Sequence, residues 1–597
     1  MTDDRGKHLS PTERRGVYAA RHYVDRPIER KLGTLIDFDV YLQDPYVAAT
    51  TPAIGWDKEF EVEWEPLLGD GPTSARFAVV DYNGDTGVLV PPAQWNPKTD
   101  TYEDDNGTTL NREQQHSLQF HQVNVWAVLQ RALEFYESTW GLGRRIPWGF
   151  DGNRLIVVPH AGYGQNAFYD RESKSLQFYY FEGEQGRVYT CLSTDIINHE
   201  FGHAVLDGIR PHFIEGYAPE AAAFHEFIGD LTAILLLLRN NQFRRWLADQ
   251  TAGDLSHADH LFRIAEQFGT EVTGKPYLRT ACNHVTMSDL QDTHSPHYRS
   301  QVLTGALFEI IIALADRYIA KRNKTAPQAL WHTIQRMHRL ALQALDLLPP
   351  VDVTFKDYAL AVLRMDQLAH PLDPHDYRTL MLDVFNARGI LDNADIDELR
   401  RNEYLYERVP MHVFHDINSI ARSRADAYRF LDDNRPSLGI PLHQDVVVAD
   451  LYTAEKCDRT ASPLPRQVVL EYLWREDVLL ESDAFGEYAG QYTTLPCGGT
   501  LVFDDRGRLL FWAHKPGSET PEGQQRRLDL FASIERAIET GLAGTPLQTP
   551  RGIIASTMPD LIPKTKNGRL QFELSPHLGL DDPDQELVGG RRCEISS

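Results

Sequence analysis

Ser193 to Ile209 reads STDIINHEFGHAVLDGI, and its centre, His199-Glu200-Phe201-Gly202-His203, sets two histidines four residues apart. Ser193 or Thr194 can cap a helix there, and Gly208 can end it. Positions i and i+4 share a helical face, so both rings can aim a nitrogen at one ion. Glu200 stands one residue further round, near enough to act as a base on a water without being a ligand. No charged residue intrudes among Ile196, Ile197, Phe201, Gly202, Ala204 and Val205, so the helix can be buried around the site. In a chain with 23 histidines the same pattern also arises by chance, and the rings would then be ordinary helix residues. A third ligand decides between these readings.

The stretch EAAAFHEFIGDLTAILLLL, from Glu220 to Leu238, supplies a candidate. Glu226 and Asp230 lie one turn apart on a strongly apolar helix, where two carboxylates need compensation. A zinc ion compensates Glu226 directly and completes a two-histidine, one-carboxylate set with a position open for water. Asp230 can then accept the far N–H of a ligand histidine and fix its tautomer. An ion pair with Arg239 is the structural alternative.

His199-Glu-x-x-His203 followed by Glu226-x-x-x-Asp230 resembles the thermolysin-like zinc metallopeptidases, the glutamate zincins. The segment GYGQNAFYD (162–170) is similar to that family's edge strand, where an Asn-Ala pair, here Asn166 and Ala167, holds the substrate backbone. DTHSPHYRSQVLTGALF (292–308) resembles the segment whose histidine hydrogen-bonds the tetrahedral intermediate and is oriented by an aspartate five residues earlier. The resemblance assigns those roles to His297 and Asp292, with His294 as the rival histidine. It also implies a carbonyl-binding Arg279 in Leu278-Arg279-Thr280 and an oxyanion-binding Tyr217. VFNARGI (384–390) resembles the end of the catalytic domain. Matches run in the family's order from about Gln119 to Leu391. Two departures stand out: His225 occupies the place of an asparagine, and no secretion signal or long propeptide is recognisable.

What the resemblance implies is an α+β thermolysin-like catalytic domain, with a β-rich N-terminal lobe, a helical C-terminal lobe and zinc in the cleft between. The activity implied is peptide-bond hydrolysis by a water that Glu200 activates. Cleavage on the N-terminal side of a bulky apolar residue follows from the resemblance alone. Nothing in the sequence supports a calcium site. A second class of function stays open: a zinc-binding but catalytically silent recognition or partner-recruiting protein whose main activity lies after Leu391.

The wider sequence narrows the partners. At 597 residues the chain is too long for a single core. A net charge of −25 repels phosphates, which argues against nucleic acid and anionic membrane and leaves a peptide or protein substrate. Five scattered cysteines without a C-x-x-C pair suit a reducing compartment. The N-terminus is polar, and the longest apolar run, LTAILLLL from Leu231, is far below the ~20 residues of a membrane span. A cytoplasmic protein is expected.

Periodicity divides the chain into a flexible arm (1–31), a β-rich region (32–110), the metallopeptidase domain (111–391), a C-terminal α+β domain (392–552) and a loosely ordered tail (553–597). EFEVEWE alternates like a half-buried strand, and RFAVVDYNGDTGVLVPP reads as two strands about Asn83-Gly84-Asp85. RQVVLEYLW and GTLVFDDRGRLLFWAHK read as later strands, and PEGQQRRLDLFASIERAIETGL as an amphipathic helix. Asp373-Pro374 reads as a helix start. Residues 392–597 are expected to narrow access to the zinc or to recruit a protein partner, with an independent tethered domain as the alternative.

Overall fold

The computed structural model describes residues 35–574 except 66–67, 185, 216–218, 256–262, 274–278, 291–294, 402–408, 459–460, 542, 545–547, 550–551, 554–560 and 567. It is an α+β protein in which helices and strands are largely segregated along the chain. Strands β1 (Phe77–Val79), β2 (Leu155–Val158), β3 (Ala167–Asp170) and β4 (Ser175–Phe178) form a sheet in the order β1-β2-β4-β3. β1 and β4 run parallel to β2, and β3 closes the sheet as an antiparallel edge. The hairpin expected near Asn83 is present as Tyr82–Asn83 paired with Val88–Leu89, while Phe77–Val79 leaves it to join this sheet.

Against these strands pack α1 (Leu118–Glu137) and α2 (Thr194–Ile209). Ser193 caps α2, its hydroxyl accepting the Ile196 N–H at 3.4 Å. α3 (Pro219–Arg239) lies along α2, and α4 (Pro296–Arg322) along α3. Among the described residues α3 alone is long and apolar enough to cross a membrane, but 89% of its most apolar window is buried in the protein. It is a core helix, and the carboxylates it carries have partners inside the fold. A helix expected from Asp373 begins instead at Tyr377, because the Asp373 carboxylate accepts the N–H groups of Tyr377 and Arg378 at 3.0 and 2.8 Å.

The C-terminal region builds a second sheet from β5 (Val447–Ala454), β6 (Gln467–Leu479), β7 (Tyr492–Phe503), β8 (Leu509–Lys515), β9 (Leu561–Lys566) and β10 (Arg569–Leu574). Its order is β5-β6-β7-β10-β9, with β8 pairing the other end of β7. Helix α5 (Pro521–Glu539) contributes Leu530, Ile534 and Ala537 to this region's core. Of the loosely ordered tail expected over 553–597, the part in residues 561–574 is corrected here: β9 and β10 form an antiparallel hairpin, and Phe572 and Leu570 are buried in the second core, while 575–597 lie outside the described residues.

The second sheet is fused to the first lobe rather than tethered to it. Val469, Val502 and Phe511 belong to the main core, and Ala222 of α3 belongs to the second. Arg210, which caps α2, is fully buried against Glu471 of β6 and donates to the Leu345 carbonyl at 2.7 Å. Asp346 receives Arg144 at 2.7 Å and Lys456 at 2.8 Å. Burial would raise its pKa, but those two cations hold it well below the usual carboxylate range. Arg475 reaches Glu215 at 2.6 Å, and the Thr500 hydroxyl donates to the Leu348 carbonyl at 2.7 Å. The expectation that every cysteine is unpaired fails at Cys282, which is disulfide-bonded; Cys191, Cys457 and Cys497 are free.

Candidate metal centre

α2 and α3 approach closely because each carries a glycine at the crossing. A β-carbon on Gly202 would stand 2.9 Å from the Gly229 Cα and from the Ile228 carbonyl oxygen. One on Gly229 would stand 2.5 Å from His199 Nδ1. A glycine inside a helix costs about 1 kcal/mol relative to alanine, so two of them face to face need a reason. Here the reason is room for the His199 ring.

With the helices so placed, His199 Nε2 and His203 Nε2 lie 3.2 Å apart. Glu226 meets them from α3, with Oε2 3.3 Å from His199 Nε2 and Oε1 3.5 Å from His203 Nε2. Zinc bonds of roughly 2.0–2.1 Å at tetrahedral angles separate neighbouring donors by about 3.3–3.4 Å. The separations are close to that spacing, with a different Glu226 oxygen nearest each ring. Glu200 also has an oxygen within 4.8 Å of the histidine nitrogens. Both carboxylates are thus within reach of an ion held by the two rings, Glu226 from α3 and Glu200 from α2 itself.

Asp230 Oδ1 accepts from His199 Nδ1 at 3.1 Å, which leaves Nε2 as the ring's lone-pair nitrogen. Arg239, the alternative partner for these carboxylates, lies instead over the Phe135 ring. Burial would raise the Glu226 pKa, but the His297 ring beside its Oε2 holds it well below the ordinary value. Its negative charge is thus kept in a buried place. Burial pushes His203 well below the usual histidine range, aided by His199, His225 and His297. A ligand histidine must be neutral, so this direction favours metal binding.

His297, near the start of α4, brings Nδ1 to 2.5 Å from Glu226 Oε2. The sequence reading put this ring on the reacting substrate; here it is in direct contact with Glu226, the candidate third ligand. Asp292, proposed to orient it, and the rival His294 lie outside the described residues, as does Tyr217. Arg279 is placed only by its backbone, in a two-residue strand Arg279–Thr280 paired with Arg263–Ile264. His225 does not take over the role of an asparagine toward His203. The rings are 5.9 Å apart between centroids, and His225 Nε2 is buried without a hydrogen-bond partner among the described residues. Burial lowers its pKa to about 4.

Asn166 and Ala167 stand where β3 begins, at the sheet edge, with β3 packed against α2. The Asn166 side chain caps the strand by accepting the Ala167 N–H at 2.7 Å, and its carbonyl accepts from Tyr179 N at 3.1 Å. Sequence reasoning missed what holds this strand to α2. Asp207, four residues beyond His203, accepts the Tyr169 hydroxyl at 2.7 Å and Arg171 Nε at 2.9 Å. The signal was available: an acid on the apolar, ligand-bearing helix demands a partner.

Neither a protein-family model nor a curated protein sequence matches this chain.

Proposed function

We propose that the protein is a zinc-dependent endopeptidase with a thermolysin-like catalytic domain. The observation that carries the reading is the donor set itself: His199, His203 and Glu226 at tetrahedral spacing, with the non-ligand carboxylate of Glu200 beside them. An edge strand running past that set supports peptide binding, since an extended substrate can add its backbone to such an edge. Zinc held there supplies Lewis-acid polarisation of a carbonyl and lowers the pKa of water. Glu200 takes the proton from the attacking water and delivers it to the leaving amine. Asn166 and Ala167 bind the substrate backbone, with Arg279 gripping a substrate carbonyl.

His297 and Tyr217 are assigned to the developing oxyanion, with Asp292 orienting the histidine. The contact of His297 with Glu226 favours a further duty, steadying the ligand carboxylate. His297→Ala separates the two: loss of kcat with zinc retained marks the oxyanion role, and loss of zinc marks the ligand-steadying one. The substrate is a peptide or protein cut before a bulky apolar residue, and the C-terminal region would contact a protein partner. A peptide-library digest tests the activity against the Glu200→Gln variant. Equal cleavage by both proteins, or no zinc in the purified chain, would sink the proposal.

A further inference from the structure

A second group of metal-capable side chains lies away from the candidate centre. His121 sits in the first turn of α1, His160 just beyond β2, and Cys191 in the 3₁₀ turn Thr190–Leu192 that leads into α2. All three are buried, and their donor atoms lie within 4.8 Å of one another. The rings of both histidines pack against Tyr189.

The hydrogen bonds around the two rings assign their lone pairs. His160 Nδ1 lies 2.9 Å from both oxygens of Asp81. Gln122 Nε2 also donates to Asp81, at 2.8 Å. His121 Nε2 lies 3.2 Å from the Gln115 carbonyl oxygen. A carbonyl can only accept, and an ionised carboxylate can only accept, so these two ring nitrogens carry the N–H groups. What remains on each neutral ring is a lone pair, and the two face each other: His121 Nδ1 and His160 Nε2 are 3.0 Å apart. Two lone pairs at that distance repel unless a cation lies between them.

We propose that His121, His160 and Cys191 form a second, buried three-donor metal site that takes zinc. Two imidazoles and a thiolate are a donor set suited to that ion. The ring nitrogens need to part by only a few tenths of an ångström to reach the tetrahedral donor spacing of about 3.3 Å. Asp81 and the Gln115 carbonyl already orient both rings from behind, as outer partners of ligand histidines do. Charge closes as well: the ion's two positive charges meet the Cys191 thiolate and the Asp81 carboxylate, and the thiol proton leaves to solvent on binding. A lone proton shared by the two rings would also relieve the repulsion, but it would give Cys191 no role. The site ties α1, β2 and the start of the ligand helix together.

Cobalt exchange into the full-length chain distinguishes the two. The candidate catalytic set contains no sulfur, so a near-ultraviolet thiolate-to-cobalt charge-transfer band reports the second site alone. The proposal expects that band in the wild type and in His199→Ala/His203→Ala, and its loss in Cys191→Ser. Metal analysis should give two zinc ions per wild-type chain and one in the double variant. One zinc with the band would support this site and count against the catalytic one; zinc without the band would overturn the proposal. Should Cys191→Ser not fold, alkylation of Cys191 in the double variant serves instead. Labelling at least tenfold faster after chelation is expected, and equal rates with and without chelator would overturn the site.

Discussion

Among the described residues two pairs of histidines face each other, with ring nitrogens 3.2 Å apart in one and 3.0 Å in the other. Each pair has one ring whose Nδ1 meets a carboxylate, Asp230 behind His199 and Asp81 behind His160. The difference lies in the third donor and the surroundings. His199 and His203 meet Glu226 and have Glu200 beside them, whereas His121 and His160 meet a thiol and the ring of Tyr189. His203 keeps 12% of its side chain exposed, while His160 keeps 1%. A carboxylate set with a spare base and a path to water is suited to turnover. A thiol set without either is suited to holding parts together.

The comparison is most easily broken at Glu200. Glu200→Gln should keep zinc and thermal stability while hydrolysis falls by about 10²–10⁴-fold, the usual contribution of a general base. Metal analysis beside a peptide assay checks it, and loss of zinc would make Glu200 a ligand. Next in size are the carboxylates behind the rings. Asp230→Asn should weaken zinc at the first pair about 10–100-fold, and Asp81→Asn should weaken it similarly at the second. Competition with a chromophoric chelator measures both, and an Asp81→Asn variant with unchanged metal content would end the parallel. Gly229→Ala is expected to lower zinc affinity about tenfold by displacing the His199 ring. Here the readout is the chelator midpoint, and no change would mean that the helices shift freely.

The smallest effect concerns the turn of helix between the two pairs. Asp195 is buried on α2, facing Asp44 and Glu266, with the Ala265 N–H at 3.4 Å; burial, then Asp44, raises its pKa to about 8. An acid with a raised folded pKa binds its proton more tightly in the native state. Its contribution is therefore greatest at low pH and is lost progressively as pH rises from about 4 to about 8. Melting temperature should fall between pH 6 and 8.5, and Asp195→Asn should flatten that fall. A slope unchanged in the variant would place the titration elsewhere.

What could be read from the sequence was whatever repeats within one helix. His199 and His203, or Glu226 and Asp230, share a face by their four-residue spacing, and the apolar residues around them announce burial. Gly202 and Gly229 were equally visible, but their purpose appears only when two helices cross. His121, His160 and Cys191 stand 39 and 31 residues apart, and no local period links them; the sheet and the turn before α2 bring them together. The β9–β10 hairpin was missed although Asn567-Gly568 is a strong turn signal, and Gly568 has a φ of 72°. The proline and lysines nearby suggested a solvated tail and outweighed it.

The buried ion pairs across the seam bear on how the chain comes apart. Removing everything after Leu391 would take Glu471 from the buried Arg210 and leave Asp346 with Arg144 but without Lys456 or the Tyr452 hydroxyl. An uncompensated buried charge of that kind costs about 3–5 kcal/mol, a large part of a domain's whole stability. Melting should therefore be cooperative, with the C-terminal sheet and helices α2 and α3 lost in one calorimetric transition. A proteolytic nick that releases the region after Leu391 would therefore unfold the rest of the protein rather than liberate a smaller stable core.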